Sequence, residues 1–176
     1  VPGDNLLQER QAEGILSTLL EIKDVVNQPD NYDLAAQFMW CASHALNGNL
    51  RCGVKTDWTT HMIGHELTAK YGIDHARTLA IIGPRLFENQ MKRKQAKLEQ
   101  YGERVFGLSG DATSVATKAI EMTEAFFHEL EVPTKLSEYT EDTDGVPAYI
   151  AGIFKDRDWT AMGEHQAITV KDVETI

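Results

Sequence analysis

Apolar residues recur with a helical period along nearly the whole chain. Leu6, Leu7, Ile15, Leu16, Leu19, Leu20, Ile22 and Val26 trace one stripe, which Pro29 ends. Tyr32 to Leu46 follows as a second predicted helix, with Gly48 beyond it as a stop. A glycine-containing loop over 47–54 leads to a third helix, which carries His61 and His65. Gly72 offers a stop for that helix, and Asp74 an N-cap for a fourth with His75 in its first turn. Thr78 to Phe87 is more evenly apolar and should be buried, with a kink or break at Gly83-Pro84. Residues 91–106 read as an exposed helix. Val115, Ala119, Ile120, Phe126, Phe127 and Leu130 form a further amphipathic stripe, stopped by Pro133. The pattern then loosens into a turn at Asp142 to Gly145, a short helix from Val146 to Phe154, and Thr169 as N-cap of a last helix. Few period-two alternations appear. The expectation is one all-α domain over 1–176, a bundle of roughly seven or eight unequal helices.

Composition narrows the function. A chain of 176 residues, 42% apolar and 25% charged, suits one ordinary globular domain with a sizeable core. Its net charge of -10 argues against nucleic-acid and anionic-membrane partners, which reward basic patches. The one basic cluster, Lys92 to Lys97, is followed by Glu99 and Glu103, and is expected to be a solvated helix face. Cys41 and Cys52 are too few for a disulfide framework and too isolated for a zinc knuckle, so a reducing, cytoplasmic setting is the simpler expectation. No apolar run approaches the roughly 18 residues of a membrane span, and no signal peptide is visible. The chain opens on Val1 rather than Met, which leaves its true beginning, and hence targeting, open.

Three of the six histidines, His61, His65 and His75, fall within fifteen residues. Imidazole is the commonest protein ligand for a catalytic transition metal, and residues four apart share a helix face. Spacing alone favours Asp57, His61 and His65 as a metal set, with His75 in reserve; the bland alternative is ordinary core or polar histidines. The run His61-Met-Ile-Gly-His65 lacks the Glu that a zincin needs after its first His, and Glu-x-x-His pairs for a di-iron bundle are missing. No glycine-rich phosphate loop is present, and Gly107-Leu-Ser-Gly110 is too short for a nucleophile elbow. His44, His128 and His165 are scattered and expected to be structural or exposed. Trp40 and Trp58 suit core or domain-contact roles, and Cys52 small apolar filler.

The segment Asp57-Trp-Thr-Thr-His61-Met-Ile-Gly-His65-Glu-Leu-Thr-Ala-x-Tyr-Gly-Ile-Asp-His75-Ala-x-Thr-Leu-Ala80 resembles the C-terminal metal motif of iron-containing alcohol dehydrogenases. Gln8-Glu-Arg-x-Ala-Glu-Gly-Ile-Leu16, Asn31-Tyr-Asp33, Met39-Trp40, Ala45-Leu-Asn-Gly48 and Val132-Pro-Thr134 carry the resemblance across nearly the whole chain, and toward the NADPH-dependent aldehyde reductase and butanol dehydrogenase branch. The resemblance implies the all-α C-terminal domain of the dehydroquinate synthase-like fold, without its N-terminal nucleotide-binding partner. It implies that His61 and His75 bind one divalent ion, Fe2+ or Zn2+, whose other ligands, an Asp-x-x-x-His pair, lie upstream of Val1. It places His65 beside the nicotinamide of NADP(H) or NAD(H), with a part in proton relay, and gives Asp57 no ligand role. Gly163-Glu-His-Gln166 departs from the family's local order, so His165 inherits no role. The implied substrate is a small alcohol or aldehyde. The isolated chain, holding half a ligand set, is expected to be inactive, and its uncovered cleft wall predicts a homo-oligomer or aggregation. The readings from other classes are a stand-alone helical metal-binding module and an inactive structural fragment.

Overall fold

The computed structural model, which describes residues 5–176, strings eight α-helices together: α1 (Leu6–Glu21), α2 (Tyr32–Leu46), α3 (Thr59–Tyr71), α4 (His75–Asn89), α5 (Met91–Phe106), α6 (Ala112–Glu129), α7 (Val146–Asp156) and α8 (Val170–Val173). Short 3-10 turns occupy Lys23–Val26, Asn49–Arg51 and Leu136–Glu138. The one sheet among the described residues is a two-residue hairpin, β1 (Ala161–Met162) antiparallel to β2 (Ile168–Thr169), with Met162 opposite Ile168. The all-α expectation therefore holds, and the spans expected for α2 and α5 coincide with those observed. None of the described helices is long and apolar enough to cross a membrane.

Local chemistry explains the punctuation. Asn31 opens α2 by accepting a hydrogen bond from the Leu34 N–H at 3.3 Å. Thr169 opens α8 through a reciprocal capping box with Asp172: each side chain accepts from the other's backbone N–H, at 3.3 and 2.7 Å. The main core joins α3, α4, α7, α8 and the hairpin through Ile63, Leu67, Ile81, Leu86, Ile150, Phe154, Met162 and Val173, all buried. Phe154 has no exposed surface at all. A smaller cluster of Leu98, Ala116 and Ile120 holds α5 to α6.

Four local expectations need correction. The first stripe does not form one helix up to Pro29: α1 ends at Glu21 and a 3-10 turn takes Lys23–Val26, while Leu6, Leu7 and Leu16 are 55%, 63% and 39% exposed and within the whole run only Ile22 is buried. Gly83-Pro84 does not break α4, which continues to Asn89. A proline there forfeits one backbone bond, and the burial of Ile81, Ile82, Pro84 and Leu86 outweighs that loss. The basic run of α5 is a solvated face only in part: Lys92 and Arg93 are exposed, whereas Lys94 points inward to carboxylates from two other segments. Cys52 is exposed rather than buried filler, whereas Cys41 is buried.

Candidate metal centre

Helix α3 divides its residues between two jobs. Thr59, Ile63, Gly64, Glu66 and Leu67 face inward and are buried. Trp58, His61 and His65, spaced three and four apart, take the opposite side. Gly72 ends the helix at φ 68°, a left-handed conformation that glycine adopts without steric cost, and reverses the chain toward α4. Asp74 stands at the N-cap of α4 as expected, yet its side chain makes no capping bond there; it lies 3.7 Å from Arg77 instead.

The reversal works only because α3 and α4 approach closely. A Cβ added at Gly64 would sit 2.9 Å from Thr78 Oγ1 and 3.2 Å from Leu79 Cδ2. Thr78 has no exposed surface; its hydroxyl donates to the His75 carbonyl at 2.8 Å within α4 and lies 3.5 Å from the Thr68 hydroxyl of α3. The glycine lying between His61 and His65 is thus what lets His75 reach them.

Three imidazoles meet at this junction. The His61 and His75 ring centres are 5.3 Å apart, His61 and His65 6.4 Å, and His65 stacks on His75 at 4.5 Å with planes 13° apart. Two imidazoles bonded to one tetrahedral ion at about 2.0–2.1 Å would have ring centres about 5 Å apart, so the His61–His75 spacing fits a shared ion. His75 Nδ1 is buried with no hydrogen-bond partner among the described residues, an acceptor or donor left waiting for something. Burial lowers the His61 pKa, and proximity to His75 and His65 lowers it further, favouring the neutral ring that a metal requires. Among the described residues, no group of three or more His, Cys, Asp or Glu is arranged to hold an ion by itself.

Asp57, which spacing alone would add to the set, is engaged elsewhere. Its Oδ1 accepts from the Thr59 N–H at 2.8 Å and its Oδ2 pairs with Lys94 Nζ at 2.9 Å. Lys94 also reaches both carboxylate oxygens of Glu164 at 2.8 Å. Burial alone would raise the Asp57 pKa and lower that of Lys94. The hydrogen bonds among Thr59, Asp57, Lys94 and Glu164 outweigh burial, holding the aspartate below and the ammonium above their usual ranges.

A cleft of about 310 Å³ opens next to the histidines, lined by Thr56, Trp58, Met62, Asp158, Trp159, Ala161, Met162, Gly163 and Gln166. Trp58, whose ring lies 5.0 Å from His61, forms the boundary between cleft and histidine cluster. Trp58 is 44% exposed and Trp40 69%, so neither is a core residue. His44 packs edge-on to Trp40, His128 bonds the buried Thr134 hydroxyl, and His165 is exposed; none joins the cluster. Sequence reading overlooked Lys94, Glu164 and Trp159. A signal existed for Lys94 alone: it shares a helical face with Met91 and the buried Leu98, at i-3 and i+4.

Comparison with known proteins gives one family and one fold. The model of the Fe-containing alcohol dehydrogenase family, C-terminal, matches residues 4–176. The chain is 45% identical over 171 residues to the NADPH-dependent aldehyde reductase YqhD of Escherichia coli, covering 96% of this chain and 44% of that protein. It is 35% identical over 135 residues to NADH-dependent butanol dehydrogenase B of Clostridium acetobutylicum, covering 74% and 35% respectively. The substrate- and cofactor-free structure of the Escherichia coli reductase superposes with a TM-score of 0.94 at 43% identity, over 99% of this chain and 46% of that one. The structure of NADH-dependent butanol dehydrogenase A from Thermotoga maritima superposes at 0.85 and 25% identity, over 96% and 44%. The chain thus spans less than half the length of these relatives.

Proposed function

The chain belongs to the iron-containing alcohol dehydrogenase family, and on that premise we propose that it forms the metal-binding half of an NAD(P)H-dependent reductase of small aldehydes. The observation that carries this reading is the convergence of His61 and His75 at 5.3 Å with a buried, unpartnered His75 Nδ1. His61 and His75 would hold one divalent ion, completed by ligands from another part of the protein. Histidine nitrogen suits Fe2+ and Zn2+ alike. A divalent ion here supplies Lewis acidity toward a carbonyl oxygen, and the reduced nicotinamide supplies the hydride.

The chain's own residues do the rest. The neutral state of His61, favoured by burial, leaves its ring free to ligate. His65 is exposed and stacked on His75, so it can exchange a proton with solvent while remaining beside the reacting oxygen. Trp58, Met62, Trp159 and Met162 offer apolar walls that suit the hydrocarbon part of a small aldehyde and exclude water from it. The test is NADPH-dependent reduction of butanal by the intact protein together with elemental analysis. Turnover that survives complete removal of bound divalent metal would refute the reading.

A further inference from the structure

Lys94 joins two segments that each contribute residues to the lining of the cleft. Its ammonium lies 2.9 Å from Asp57 Oδ2 and 2.8 Å from both oxygens of Glu164, and the side chains are only 15%, 17% and 10% exposed. Asp57 precedes Trp58, which lines the cleft and touches His61, and it fixes the Thr59 N–H at the start of α3. Glu164 follows Gly163, which lines the cleft from the turn between β1 and β2. Gly163 itself is tightly seated: an added Cβ would lie 3.0 Å from Ile168 Cδ1 and 3.7 Å from Asp57 Oδ2. Two carboxylates that share one ammonium would repel one another without it.

We propose that Lys94 is a positioning residue that clamps the start of α3 to the hairpin turn and so fixes the cleft wall beside His61. It touches neither histidine. Its effect travels through Asp57 to the first turn of α3 and through Glu164 to Gly163. This inference rests on the cleft being the aldehyde site only for its kinetic consequence; the clamp itself is a structural statement that can be read without turnover.

The experiment compares Lys94→Met, Lys94→Arg and Glu164→Gln in the intact protein, with Lys118→Met, an exposed lysine paired with Glu121, as control. Hydrogen exchange at the Thr59 amide and acrylamide quenching of tryptophan fluorescence report the clamp directly. Lys94→Met should expose both probes while the protein still unfolds cooperatively, Glu164→Gln should do so partially, and Lys94→Arg should restore most protection. If the methionine variant does not fold, Glu164→Gln carries the same test. With butanal and NADPH, kcat/KM of Lys94→Met should fall by about 10- to 100-fold, the loss expected when reacting groups are displaced by about 1 Å. Lys94→Arg should recover much of that loss, and the control should show none. Wild-type protection of Thr59 in the methionine variant, or in Glu164→Gln where that variant substitutes for it, would overturn the clamp. Changed probes with unaltered kcat/KM would overturn its role in the cleft. A wild-type protein with no reductase activity would overturn the functional reading and leave the exchange and quenching results to decide the clamp.

Discussion

His61 sits half-buried among two other imidazoles, and that setting makes its charged form costly. The sign of the resulting pH dependence follows. Its folded-state pKa lies below the ordinary value of about 6.5, so near that pH the unfolded chain binds more protons. The contribution is fully present above the ordinary value and is lost as pH falls through the folded value. The urea midpoint of the wild type should therefore drop on acidification more steeply than that of His61→Ala. The same substitution should abolish metal retention and reductase activity together. His65→Ala should lower turnover, by about 10²- to 10⁴-fold if it relays the proton, with metal content kept. Elemental analysis beside initial rates separates the two roles.

The element that matters most is the α3–Gly72–α4 reversal. Gly64→Ala would force a methyl group to within 2.9 Å of Thr78 Oγ1, so the helices must part. Overpacking of this kind costs about 1–3 kcal/mol, and here it should also loosen metal binding by separating His61 from His75. Denaturant titration and metal affinity, measured on the same variant, check both effects. At the other end of the core, Phe154→Ala should cost about 3–5 kcal/mol, since the ring has no exposed surface and joins α7 to the hairpin and α8. Helix bounds were largely legible from sequence. Thr169 acts as the expected cap and Gly72 as the expected stop, and the spans read for α2 and α5 match those observed; the cap at Asn31 was not foreseen. The uninterrupted passage through Pro84 was not legible, because it depends on a buried face supplied by other helices.

Across the whole molecule, the exposed apolar residues gather at the N-terminal side. Leu7, Met39, Trp40 and Leu46 are 63%, 61%, 69% and 82% exposed, on α1 and α2. Burying a residue of this size is worth about 1.5–3 kcal/mol, so these helices gain from a covering surface. The 176 residues by themselves should accordingly self-associate as concentration rises, which sedimentation velocity can follow. They should also fail to reduce butanal with NADPH, since two histidines leave an ion incompletely held; steady turnover by the isolated 176 residues would refute this.

Residue order was enough for the helical class, several helix boundaries and the family, because periodicity, turn-forming residues and a dense histidine motif are all local along the chain. It also singled out His61, His65 and His75, though spacing alone would have enlisted Asp57 and held His75 back. The family resemblance reverses that order, and the packed fold supplies a physical reason for it. Asp57 is drawn to a lysine 37 positions away and Glu164 to the same lysine 70 positions away, while a glycine without a side chain lets His75 close on His61. Ion pairs and close helix approaches depend on distances in space, and those are set by how the packed helices cross rather than by the order of residues along them.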